Sequence, residues 1–327
     1  YTNLLYSCPA SKRKSKAPCP ARINPANRQS MSFRDFILLF AVCLVWGLNI
    51  VVTRWVVADI GVPPIFFAGI RFAGVALLLL AFLRPKPEDL KMLFLIAMFI
   101  GAVHFSLLFM GLQNAEASAA SITGQLGAPF STLMSMAFLG ETIGWRRGLG
   151  IMLSFAGVVL IAFDPASFTI SIGLVYITIA AFVGSVGGIL MKRMAPIKAL
   201  RLQAWVGLFS FAPLLITSSM IETGQLEALS RGGWQLAVAW LFAVVGVSIF
   251  CHGGFYTLIK KYDISLLSPL TLMTPLATIA LGVAIMSDPF GPRMAIGTAV
   301  ALAGVLIIAL RPNQVAPLLL AWRNRAE

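Results

Sequence analysis

The stretch GETIGWRRGLGIMLSFAGVVLIAF, residues 140–163, opens on a glycine turn, passes a pair of arginines and then runs apolar for the length of a helix. An apolar segment of that kind crosses about 30 Å of hydrocarbon as an α-helix. Arg146 and Arg147 at its start assign that end to the cytoplasmic side, because short loops rich in Lys and Arg stay inside. An offset of 147 residues brings a second stretch, SDPFGPRMAIGTAVALAGVLIIAL at 287–310, into register with the first. Glu141 falls on Asp288, Gly144 on Gly291, Gly150 on Gly297, and Ala156-Gly157-Val158 on Ala303-Gly304-Val305.

Outward from these two stretches the chain divides into ten apolar segments. The first five run about Phe36–Val57, Pro63–Leu83, Leu90–Leu112, Ala117–Leu139 and Arg147–Phe163. The second five run about Ser171–Met191, Ala199–Ser219, Gly233–Ile259, Ile264–Met286 and Met294–Leu310. Strands of a membrane barrel would be half as long and would alternate polar with apolar residues. Of the 25 lysines and arginines, twenty-one lie on the faces reached by both termini and the even connections. Arg54, Arg231 and Arg293 lie on the opposite faces, and Arg71 alone sits inside an apolar segment. Five spans is an odd number, so a second copy crosses the membrane in the opposite sense to the first. The predicted fold is therefore an all-α integral membrane protein of ten transmembrane helices. They form two inverted five-helix repeats, residues 31–165 and 166–311, with both termini cytoplasmic and a tail at 312–327.

Composition agrees: 59% of residues are hydrophobic and 11% charged, against roughly 25% charged in a soluble domain. The formal net charge of +13 would suggest nucleic acid in a soluble protein, but here the cations border apolar runs and face anionic lipid. Nucleic acid is not an expected partner; membrane lipid and a small-molecule substrate are. Residues 1–30 are rich in Lys, Arg, Pro and Ser, lack the apolar run of a signal peptide, and read as a disordered basic extension or a mis-called start before Met31. Cys8, Cys19, Cys43 and Cys251 make neither a disulfide framework nor a metal-ligand spacing, and no cofactor is expected. No H-E-x-x-H, G-x-S-x-G or phosphate loop is present, and no connection is long enough for a soluble catalytic domain. Pro129, Pro213, Pro269 and Pro275 are expected to interrupt helices. Gly124 with Ala128, and Gly184 with Gly188, have the spacing of close helix contacts.

Polar groups inside the apolar segments are costly there and are candidates for function. At ~1.5 Å rise per residue, Asn49, Arg71, His104 and Gln125 lie about 12 Å below the outer surface. Ser185, Trp205, His252 and Ser268 lie roughly 6–9 Å above the inner ends of their spans. Arg71 has a planar fork that holds a carboxylate bidentately; its alternatives are snorkelling or tying backbone carbonyls. His104 either relays a proton and meets substrate or is satisfied by a neighbour. Asn49 and Gln125 either hold substrate or link helices, and Trp46 either walls a cavity or packs in the core. All twelve acidic residues fall in tails, loops or span ends, so a midplane carboxylate for a permanent cation is missing. A coupling proton would have to use His104, a residue at a span end or the substrate itself.

Trp46-Gly47-Leu48-Asn49, Arg71-Phe72, the Gly140-Glu141 step and the Ala-Gly-Val motifs of the fifth and tenth spans resemble the EamA-type proteins of the drug/metabolite transporter superfamily. Within that superfamily the pattern is most like the bacterial O-acetylserine/cysteine exporters. Val183 stands where a second Trp would be expected, and Ser287-Asp288 replaces the second Gly-Glu step, a departure read as peripheral. The resemblance implies a secondary transporter that moves amino acids or their derivatives out of the cell across the bacterial inner membrane by alternating access. The alternatives are a carrier of drugs or nucleosides from the same superfamily, a channel, or an intramembrane enzyme.

Overall fold

The structure is a computed structural model, and it describes residues 31–140, 142–164, 169–195, 197–262 and 264–310. The basic extension, Glu141 and the tail from 312 lie outside the described residues. Fourteen α-helical pieces carry most of these residues. The first half comprises α1 (Phe33–Arg54), α2 (Pro64–Leu78), α3 (Leu90–Ala97), α4 (His104–Gln113), α5 (Ala117–Gly124), α6 (Gly127–Leu139) and α7 (Trp145–Ala162). The second comprises α8 (Ile172–Arg193), α9 (Ala199–Ile221), α10 (Gln225–Leu241), α11 (His252–Lys261), α12 (Ile264–Leu270), α13 (Met273–Met286) and α14 (Pro292–Ala309). A two-residue antiparallel pair, β1 (Phe163–Asp164) and β2 (Thr169–Ile170), joins the halves with Phe163 opposite Ile170.

Two pairs of pieces run on through π-helical segments, and α10 is kinked at Gly233, φ 47°. α3 and α4 are joined by a π-helical segment, Met98–Val103, and α10 and α11 by another, Phe242–Cys251. Among the described residues eight helices are long and apolar enough to cross a membrane, and the protein is an integral, multi-pass membrane protein. Two of the ten sequence-derived segments take other forms. Pro64–Leu78 is a shorter apolar helix, and the segment from Ala117 to Leu139 is broken at Gln125 and Leu126. Outward faces are apolar in the way lipid requires: Phe33, Met220 and Trp234 are 74–78% exposed.

The breaks in α5–α6 and α12–α13 are built alike. At each, amides bond three residues back instead of four: Gln125 to Ile122, Leu126 to Thr123 and Ala128 to Gln125 in the first, Leu272 to Pro269 and Thr274 to Thr271 in the second. Pro129 and Pro275 each stand third in the helix that follows, where a missing N–H leaves no intrahelical bond unmade. α6 ends on Gly140 at φ 66°, and α13 on Ser287 at φ 56°, both left-handed. Pro213 departs from expectation, since it lies inside an unbroken α9.

α7 and α14 begin 147 residues apart, end 147 residues apart and pack along each other. Glycine makes that approach possible. A Cβ on Gly150 would stand 2.8 Å from the Gly304 carbonyl oxygen, and one on Gly297 would stand 2.9 Å from that of Gly157. Reversed, a Cβ on Gly304 would meet Gly150 O at 2.6 Å, and one on Gly157 would meet Gly297 O at 2.6 Å. Each contact is thus matched by its counterpart under the 147-residue offset, with the helices antiparallel. α2 lies along α9, while α1 packs on α13 and α8 on α6, so helices of the two halves interleave.

The expected small-residue pairs do not make such seams. A Cβ at Gly124 or Gly188 would meet nothing within 4 Å, and Gly184 faces a ring rather than a helix backbone. Asp288, read as peripheral, is buried. Its Oδ2 accepts from the Ser118 amide at 2.8 Å and the Ser118 hydroxyl at 2.7 Å, capping the start of α5 from the other half. α1 is held at both ends. Asp35 accepts from Tyr262 Oη at 2.7 Å and pairs with Lys261, while Arg54 pairs with Glu116 at 2.9 Å.

Candidate functional site

The helices line a cavity of about 420 Å³. Its wall is assembled from helical repeats of three and four, the spacing that puts residues on one face. α8 presents Ala181, Gly184 and Ser185, and the rod of α3 and α4 presents Ile100 and His104. The rod of α10 and α11 presents Ser248 and His252, and α9 presents Gln203 and Val206. Phe105 and the glycines flanking the break of α5 and α6, Gly124 and Gly127, complete much of the remainder.

Arg71 projects from α2 into this wall, 3% exposed. Its Cζ lies 5.1 Å from the centre of the Phe105 ring and 6.0 Å from that of Phe109, within reach of cation–π attraction. It neither snorkels nor ties carbonyls: among the described residues Nη1 is buried with no hydrogen-bond partner, and the side chain forms no ion pair. A buried cation without a counter-charge is expensive, by several kcal/mol in this setting. Among the described residues no carboxylate lines the cavity.

His104 is held from the neighbouring helix, with Nδ1 2.7 Å from the Ala180 carbonyl oxygen. Gly184 makes room for it, since a Cβ there would come within 2.9 Å of that nitrogen. His252 keeps its bond local, Nδ1 lying 2.8 Å from Val247 O. Ser185 donates to Ala181 O at 2.8 Å and receives a bond from Ser131 at 3.2 Å. Trp46 stands one layer back, its ring edge-on to His252 at 6.1 Å and to Phe255 at 5.2 Å.

Of the sequence-derived candidates, the cavity brings together Arg71, His104, Ser185 and His252, two from each inferred level. Asn49, Gln125, Trp205 and Ser268 do not line it. Among the described residues Asn49 Oδ1 and Trp205 Nε1 are buried without hydrogen-bond partners. Gln125 contributes its backbone to the helix break, and Ser268 accepts from Thr271 through its carbonyl. Gln203, Ser131, Ser248 and Phe105 are wall residues that sequence reasoning passed over. Periodicity was the available signal for Gln203. It shares a face with Val206, three residues on, whereas Trp205 points off that face.

Known proteins bear on what such a cavity serves. The model of the EamA-like transporter family matches residues 35–163 and 171–310. A "Probable amino-acid metabolite efflux pump" of Escherichia coli (strain K12) is 24% identical over 85% of this chain and 95% of its own length. A "Probable terminal-alkyne amino-acid exporter" of Streptantibioticus cattleyicolor is 26% identical over 82% of this chain and 93% of its own. A solved crystal structure covering 84% of this chain and 96% of its own superposes with a TM-score of 0.58 at 20% identity, a likeness of fold.

Proposed function

The chain belongs to the EamA-like transporter family, membrane transporters of small molecules rather than enzymes, and from that premise we propose that it exports amino acids or their derivatives by alternating access. Arg71 carries this reading: a buried, unpaired guanidinium in a cavity wall without carboxylates fits a substrate that brings its own carboxylate. The other wall groups, His104, His252, Ser185 and Gln203, are hydrogen-bonding groups suited to a small polar solute. The names of the Escherichia coli and Streptantibioticus relatives point to the same substrate class.

The architecture in this reading is ten spans in two inverted repeats, residues 31–165 and 166–311, with both termini in the cytoplasm and the protein in a bacterial inner membrane. Its supports are the matched helix breaks, the reciprocal glycine contacts of the antiparallel α7 and α14, and the sorting of lysine and arginine. Alternating access follows from a site between repeats that rock as bodies.

Purified protein in liposomes tests this. Uptake from a panel of amino acids, acetylated amino acids, nucleosides and cationic dyes should saturate and show counterflow for the carboxylate-bearing members. Flux that rises linearly with concentration would mean a pore, and saturable uptake confined to dyes or nucleosides would move the substrate class.

A further inference from the structure

His104 and His252 are counterparts, a relation their sequence neighbourhoods hide. Each opens an α-helix immediately after a π-helical segment, α4 after Met98–Val103 and α11 after Phe242–Cys251. They lie 148 residues apart, one more than the offset that relates α7 to α14. Both line the same cavity. π-helical segments recur at functional positions, where the wider turn re-aims a side chain.

The two rings are also held in the same chemical sense. In each, Nδ1 sits against a carbonyl oxygen, Ala180 O at 2.7 Å and Val247 O at 2.8 Å. A carbonyl only accepts, so Nδ1 carries the hydrogen, and the neutral ring keeps its lone pair on Nε2. Among the described residues neither Nε2 has a hydrogen-bond partner. The wall's serine hydroxyls are committed: Ser131 donates to Ser185, Ser185 to Ala181 O, and Ser248 to Ala243 O. Arg71 offers donors alone. A zwitterion therefore finds a donor fork for its carboxylate and two imidazole acceptors for its ammonium.

We propose that His104 and His252 form a repeat-related pair of acceptors that binds the ammonium group of an amino-acid substrate and exchanges it for a proton. This rests on the reading of Arg71 as the carboxylate site. A proton from water adds to Nε2, which turns the acceptor into a positively charged donor and repels the ammonium. The substrate leaves with its own protons intact. One zwitterion moves out for each proton carried in, and net positive charge moves inward. The charged and titratable groups facing the pair are few. Arg71 reaches in from α2 beside Phe105, whose ring lies 5.1 Å from His104, and Cys251, next to His252 in the chain, has the Cys43 of α1 near it. Cys251 turns away, donating to Val42 O at 3.7 Å. α8 and α9 add only Ser185 and Gln203 to the polar wall.

The test uses the full chain in liposomes, with a radiolabelled mixture of the protein amino acids and the same mixture N-acetylated. Acetylation removes the ammonium and keeps the carboxylate. Wild-type vesicles that are acidic inside should accumulate the free amino acids, up to about tenfold per unit of pH difference for one-to-one exchange. The double variant His104→Gln, His252→Gln keeps two neutral acceptors that take up no proton. It should exchange substrate more slowly than wild type, and the counterflow that remains should no longer respond to the pH gradient. His104→Leu with His252→Leu should lower the preference for free over acetylated substrate about tenfold, the loss of a charge-assisted hydrogen bond. Gradient-driven accumulation that survives in the Gln variant, or an unchanged preference in the Leu variant, overturns the proposal. Wild-type protein that carries neither mixture overturns the substrate reading beneath it.

Discussion

The α7–α14 seam and the cavity wall both depend on glycine, for opposite reasons. In the seam Gly150, Gly157, Gly297 and Gly304 each face backbone of the partner helix, and the four contacts obey the 147-residue offset. In the wall Gly124 and Gly127 face open space, and the charge is one-sided: Arg71 of α2 has no charged counterpart on α9, whose only ionisable residue is Arg201 near its start. Where two copies only pack, their sequences stay alike, because close approach of backbones admits no side chain. In the cavity wall α2 and α9 differ in charge, as the proposed substrate with unlike ends would require.

Arg71→Ala separates the two regions most sharply. Losing two charge-assisted hydrogen bonds to a carboxylate should reduce transport about 100-fold, while Tm in detergent stays level or rises as an unpaired buried charge is removed. Arg71→Lys keeps the charge without the planar fork and should recover only part of the activity, to within about tenfold of wild type. Liposome uptake with matched protein amounts measures both. A well-folded Arg71→Ala variant with wild-type uptake would make the cavity as structural as the seam.

The next largest effects fall in the seam. Gly157→Ala and Gly304→Ala should each lower stability by about 1–3 kcal/mol, as overpacking does, and by matching amounts because the positions are counterparts. Thermal unfolding in detergent gives the comparison. Costs that differ severalfold between them would break the symmetry of the seam, whatever happens to transport.

Asp288 tests a contact that bridges the halves. Asp288→Ala removes the cap on α5 and both bonds to Ser118, and should cost about 1–2 kcal/mol. Asp288→Asn retains an acceptor oxygen and should cost less than half of that. Equal losses in the two variants would assign the effect to charge near the helix start rather than to the hydrogen bonds.

The repeat beneath the seam is legible in the sequence, its packing is not, and the wall is only partly so. Apolar length, the alternation of lysine and arginine, and the Ala-Gly-Val motifs point to membrane helices and to the repeat shared by α7 and α14, because each is a local pattern with one physical cause. Arg71 stood out for the same reason: a charge inside an apolar run has few explanations. The π-helical segments left no such mark. Met98–Val103 and Phe242–Cys251 contain no proline and remain apolar, so nothing announced that the helices widen just before His104 and His252. Gln203 sits near a helix start, where a polar residue normally faces the membrane surface, and only the path of α9 turns it inward. Asp288 looked like a loop acid because its partner, Ser118, is 170 residues away. Gln125 draws attention for its side chain, whereas the structure uses its backbone to break a helix that length alone predicts to be continuous.

Gly124→Ala has the smallest expected effect on stability and is the most specific probe of the comparison. A Cβ at Gly124 would meet nothing within 4 Å, unlike the seam glycines, so Tm should move by no more than about 0.5 kcal/mol equivalent. The new methyl enters the cavity beside the break between α5 and α6. It narrows the space for a substrate side chain while leaving Arg71 untouched. Uptake should therefore shift toward smaller amino acids, with the largest carboxylate substrates losing about 10-fold, the scale of one methylene in a tight pocket. A clear fall in Tm without any change in size preference would show that Gly124 belongs with the packing glycines of the seam, and the distinction between the two regions would have to be redrawn around the break itself.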